Sequence, residues 1–175
     1  MSNAISREFL GDHPTKKDQL FIFGITFLCL GIIGYQNFDA LAALPLWRSL
    51  LFLLMVLDII AGAIANFTKS TQDHYRGDPR KRVTFLLMHF IHIGLLILAV
   101  GHLWYALALL VYTLIGAFIV NATSPLKQAE INAAVWVCLG CILFYVVVPP
   151  PTILMWLPAI LLLKLVFAFA VRREL

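Results

Sequence analysis

The chain has 175 residues, of which 62% are hydrophobic and 13% charged, whereas soluble domains are about 45–50% apolar and about 25% charged. That balance excludes an ordinary soluble domain, which would lack the polar surface to face water. The formal net charge of +4 is no sign of nucleic-acid binding, because the basic residues flank apolar runs, where they act as topology signals.

Taken in order, residues 1–18 form a polar arm with Arg7, Lys16 and Lys17. Ile5, Phe9 and Leu10 could lay it on a membrane surface, but a solvated cytoplasmic tail is the expectation. No cleavable leader is expected, since the arm precedes the first apolar run without a clear small-residue cleavage site. Residues 19–175 read as one all-α domain, a polytopic membrane helix bundle. A spanning helix takes about 20 mostly apolar residues, and six such segments follow: Gln19–Tyr35, Leu46–Phe67, Val83–His102, Trp104–Val120, Ile131–Val148 and Thr152–Val171. The runs are continuously apolar rather than alternating, which favours helices over a barrel. Pro149-Pro150-Pro151 ends the fifth, and Pro158 is placed to kink the sixth. The two halves show no internal repeat.

With the N-terminus in the cytoplasm, Arg7, Lys16, Lys17, Lys69, Arg76, Arg80, Lys81, Arg82, Lys127, Arg172 and Arg173 lie inside and only Arg48 outside. The bias places both termini in the cytoplasm, and the expected bilayer is a bacterial plasma membrane. Trp47, Trp104 and Trp156 fall at the outer ends as an interfacial belt.

Ionisable residues inside the apolar runs are the functional candidates, since each is costly in lipid. Asp58 lies nine residues before Phe67, roughly 13 Å deep at about 1.5 Å per residue. Ala61, Gly62 and Ala65 share its face, so it points to a packing surface. His89 and His92 share one face of the third segment. His92 is expected at a similar depth, about 14 Å. Sequential segments are usually neighbours, so Asp58, His92 and His89 form one contact set, suited to a proton relay or, more weakly, to a metal held by His89, His92 and Asp58. Lys164 either pairs with Asp58 or snorkels to the headgroups.

The loop between the second and third segments is richer in polar groups than a connector needs. Asn66, Thr68, Asp73 and Arg76 are candidate rim residues for an anionic solute or lipid headgroup, while Arg80, Lys81 and Arg82 read as a topology signal and Asp78-Pro79 as a helix start. Cys138-Leu139-Gly140-Cys141 sits inside a membrane helix. It reads as packing together with Ala134 and Tyr145 rather than as a redox or zinc site. Tyr112 and Gly116 mark a similar stripe, Asn121 and Asn132 bracket an inner loop, and His102 sits at an outer interface.

No Walker A, Gly-x-Ser-x-Gly or His-Glu-x-x-His motif occurs. In size and in its six-segment, both-ends-inside layout the chain resembles the substrate-binding subunits of vitamin uptake systems, on layout alone. The leading expectation is transport or binding of a small solute or proton at an intramembrane polar site. An embedded lipid- or isoprenoid-modifying enzyme and a non-catalytic interaction or sensor subunit are the alternatives. Expected partners are the bilayer and a small-molecule or lipid ligand, with a second copy or partner subunit possible and no nucleic acid. No cofactor is indicated.

Overall fold

Local capping chemistry sets where each helix starts. In the computed structural model, which describes residues 14–123 and 125–172, α1 (Lys16–Gln36) opens on a capping box. Thr15 Oγ1 accepts from the Asp18 amide at 3.1 Å, and the Asp18 carboxylate accepts from the Thr15 amide at 3.3 Å. Arg7, Ile5, Phe9 and Leu10 of the arm, and Arg173, lie outside the described residues. A short α2 (Phe38–Ala42) and Pro45 lead into α3 (Leu46–Ala65). Thr68 then caps a helix absent from the sequence reading, α4 (Lys69–Tyr75). Asp78 caps α5 (Pro79–Val100), accepting from the amides of Arg80 and Lys81, with Pro79 in the first turn. Gly101 at φ +82 and His102 at φ +62 make the tight turn into α6 (Leu103–Ala122). His102 is therefore a turn residue as well as an end residue.

The fifth span is α7 (Leu126–Ile142) continued by a π-helical turn, Leu143–Val147. The last span, Thr152–Phe169, changes character along its length. It begins with a 3₁₀ turn at Thr152–Leu154, becomes α8 (Leu157–Leu162) just before Pro158, and finishes as a π-helical stretch, Leu163–Phe169. The described residues are 84% helix with no strand, and six helices are long and apolar enough to cross a membrane. Three spans start three or more residues before their apolar runs, at Lys16, Pro79 and Leu126 rather than Gln19, Val83 and Ile131. Hydropathy marks the part that suits lipid, whereas the caps mark where the backbone turns helical.

The last span is the most buried of the six, and α1 and α7 are the least. α3, α6 and α7 pack around it, α5 joins α3 to α6, and α1 rests on α3. Small residues allow these approaches. A Cβ on Gly140 would meet Leu162 and Tyr112 at 2.7 and 2.8 Å, and one on Gly116 would meet the Trp136 ring at 3.2 Å. This corrects the expected stripe on α7. The packing face is Ala129, Ala133 and Gly140, while Ala134 and Cys138 are exposed. The run is apolar all round, so periodicity could not select the face. Tyr145 does pack, its hydroxyl donating to the Met155 carbonyl at 2.8 Å.

Contacts across the bundle fix its two ends. Ile22 near the start of α1 clusters with Ala61 and Ala65 near the end of α3, and Gln72 bonds the carbonyl of Ala168. The start of α1, the loop 66–78 and the end of the last span therefore share one end. At the other, Arg48 Nε donates to the Ala99 carbonyl at 2.7 Å, and Trp47 and Trp104 are exposed. Trp156 turns inward instead, edge-on to Phe52 at 6.3 Å between ring centres.

Candidate functional site: an ion-paired cavity between α3, α5 and the last span

Asp58 lies midway along α3 and reaches an imidazole and an amine from two other helices. Its Oδ2 is 3.2 Å from His92 Nε2 on α5 and 4.0 Å from Lys164 Nζ on the last span. The three side chains differ in burial. Asp58 and His92 are about a quarter exposed, at 26% and 24%, whereas the Lys164 side chain is at 4%. Lys164 therefore does not snorkel; it is held inside, against Gly62. A Cβ on Gly62 would lie 2.6 Å from Nζ and 2.8 Å from Cε, so the missing side chain makes room for the ammonium. The small face of α3 thus divides: Gly62 receives Lys164, while Ala61 and Ala65 receive Ile22.

The tautomer of His92 follows from its other contact. Nδ1 is 2.9 Å from the Met88 carbonyl, which can only accept, so Nδ1 carries a hydrogen. Nε2 then faces Asp58 without the alignment of a full hydrogen bond. At 3.2 Å the two form an ion pair whenever Nε2 also carries a proton. His89 is tied in the same way, Nδ1 lying 2.9 Å from the Phe85 carbonyl, and is almost fully buried. Its Nε2 is left buried without a hydrogen-bond partner, a group that costs free energy until something donates to it. His89 lies edge-on to Phe85 and tilted against His92, 5.0 Å between ring centres in each case, and makes no ion pair with Asp58.

These four side chains border one cavity of about 560 Å³. α3 contributes Asp58 and Gly62 to its wall and its C-cap adds Asn66, and α5 contributes a stripe from Arg80 and Lys81 through Thr84, Phe85 and Met88 to His89 and His92; Tyr75 and Lys164 close it. From Lys81 to His92 the stripe runs about 16 Å at 1.5 Å per residue. Arg80 and Lys81, read from sequence as a topology signal alone, are thus lining residues at the loop end. Their neighbour Arg82 does something different. It is buried, donates from Nε to Asn121 Oδ1 at 2.8 Å and from Nη2 to the carbonyls of Phe169 and Ala170, and covers the Phe169 ring at 4.6 Å.

The loop residues sort the same way. Asn66 is buried and donates to the carbonyl of Lys164 at 3.2 Å, which positions the lysine-bearing turn. Gln72 Nε2 bonds the carbonyls of Asn66 at 2.7 Å and Ala168 at 2.8 Å. Together Asn66, Gln72 and Arg82 hold the π-helical end of the last span, where irregular turns free carbonyls for outside donors. Thr68 caps α4, its hydroxyl bonding Ala65 and Thr71. Asp73 forms a half-exposed pair with Arg76 at 3.1 Å, and Arg76 lines a separate depression of about 240 Å³ with Arg82 and Arg172. Thr68, Asp73 and Arg76 are therefore not lining residues of the Asp58 cavity.

Among the described residues no three His, Cys, Asp or Glu side chains converge as a metal-ligand set. The triad expected from His89, His92 and Asp58 does not form, because three-residue spacing aligns the rings along α5 and leaves His89 off the carboxylate. The cysteines Cys29, Cys138 and Cys141 are unbridged thiols, as apolar-run placement implies. Comparison with protein-family models, curated proteins and solved structures finds no match for this chain.

Proposed function

We propose that this is a multi-pass membrane protein that binds a small solute inside the bundle and carries it across the bilayer, with Asp58 and His92 exchanging a proton at the site. The observation that carries the reading is the meeting of Asp58, His89, His92 and Lys164, from three helices, on one cavity. Placing four ionisable groups, two of them fully buried, in an apolar bundle is costly, and such groups line solute and proton pathways when they occur. The cavity volume falls in the range of small-molecule sites, about 300–1,000 Å³. Structural ties alone would call for fewer charges, and would not leave the His89 Nε2 unpartnered on the cavity wall.

The basic bias supports a cytoplasmic placement of both ends and of the loop 66–78, so that the cavity meets the cytoplasm at Arg80 and Lys81. The binding half of the reading is tested by thermal unfolding of the protein in phosphatidylcholine nanodiscs against a panel of small polar and amphipathic metabolites. At least one should raise the Tm of the wild type and fail to do so in Asp58→Asn. A panel that moves neither protein contradicts a solute site.

A further inference from the structure

The charges around the cavity are unequal, and the inequality specifies the ligand. Three basic side chains, Arg80, Lys81 and Lys164, line it against one carboxylate, Asp58. That carboxylate is already shared between His92 at 3.2 Å and Lys164 at 4.0 Å. A cationic ligand would have to displace both to find a counter-charge. Lys164 is different. Its amine meets Asp58 only at the outer limit of an ion pair and has no closer acceptor among the described residues, so part of its hydrogen-bonding capacity is open to a ligand. Between the loop-end cations and Lys164 the wall carries the apolar side chains of Phe85 and Met88 beside Thr84 and Asn66.

Resting on the solute-site reading above, we infer that the ligand is an amphipathic anion whose acidic group takes the Lys164 ammonium beside Asp58, with its apolar body along Phe85 and Met88. Arg80 and Lys81 attract it to the opening. The buried His89 Nε2, which lacks a donor, fits a hydroxyl or amide N–H on the same ligand. The acidic group could belong to a free solute or to an anionic lipid; the chemistry at Lys164 is the same for both.

Three eight-carbon probes separate charge from shape: octanesulfonate, octanol and octyltrimethylammonium, titrated against the protein in phosphatidylcholine nanodiscs with Tm as readout. Octanesulfonate should bind at least about tenfold more tightly than the other two, a difference of about 1.4 kcal/mol. The preference should disappear in Lys164→Met. It should also weaken in Gly62→Ala, which keeps the lysine and moves its ammonium, and in Arg80→Gln with Lys81→Gln, which leaves the interior untouched. Octanol or the ammonium binding as tightly as the sulfonate would overturn the anion assignment and leave the solute site standing. Octanesulfonate binding that survives both interior variants would overturn the placement at Lys164. No binding by any probe would count against the site as well as the class. Repeating the titration in phosphatidylglycerol nanodiscs identifies the source: a lipid ligand occupies the cavity and abolishes the octanesulfonate response, and a free solute leaves it in place.

Discussion

At Lys164 an amine is held at 3% exposure in an apolar bundle, with the Asp58 carboxylate 4.0 Å away. Removing one member of such a pair leaves the other uncompensated, which costs about 3–5 kcal/mol for fully buried pairs. Asp58 is a quarter exposed, so a smaller cost is expected here. Asp58→Asn should lower stability by about 1–3 kcal/mol. The double variant Asp58→Asn with Lys164→Met should recover most of that loss, which a double-mutant cycle of unfolding free energies reads directly; strictly additive losses would show that the two do not interact. Gly62→Ala makes a complementary prediction. Its Cβ meets only the flexible end of Lys164, so the unfolding free energy should change by less than about 1 kcal/mol while ligand response falls. The Asp58–His92 contact was legible in the sequence, because equal depth on antiparallel neighbours depends only on residue counts. The part played by Arg80 and Lys81 was not, because a basic run at a helix start serves topology whether or not it also lines a cavity.

The element that sets the site is the hairpin from α3 through α4 to α5, together with the end of the last span. Asn66, Gln72 and Arg82 place donors on the carbonyls of Lys164, Ala168, Phe169 and Ala170. They fix a π-helical stretch that no local sequence signal announces, since Leu163–Phe169 is an unbroken apolar run apart from the lysine. Loss of these bonds should loosen the lysine-bearing turn before it unfolds the bundle. In Gln72→Ala, amide hydrogen exchange at residues 164–170 should accelerate, with a global loss of about 1–2 kcal/mol for the unsatisfied carbonyls. Exchange that rises evenly over all six spans would instead mean that Gln72 supports the fold as a whole. Segment count and order were readable from hydropathy; α4 was not, being seven residues long and polar, too short for a periodic signal.

For the whole molecule, the arrangement of spans around the last helix puts the cavity at the end of the bundle that holds the loop 66–78. One prediction at this scale concerns sidedness. Single cysteines at Lys69 and at Trp104, in a background lacking Cys29, Cys138 and Cys141, should label from opposite faces of sealed membrane vesicles, with position 69 on the cytoplasmic face. Labelling of both from one face would contradict the bundle's two ends. The claim that matters most is that a polar cavity enters the apolar bundle along α5. It is tested most directly by comparing Met88→Cys, on the cavity wall, with Ile91→Cys, which is 55% exposed on the outer surface of the same helix. In the same cysteine-free background, reconstituted in nanodiscs, a charged, water-soluble thiosulfonate should modify position 88 and spare position 91. Equal protection of both positions, or reaction at 91 alone, would contradict the cavity and the function built on it.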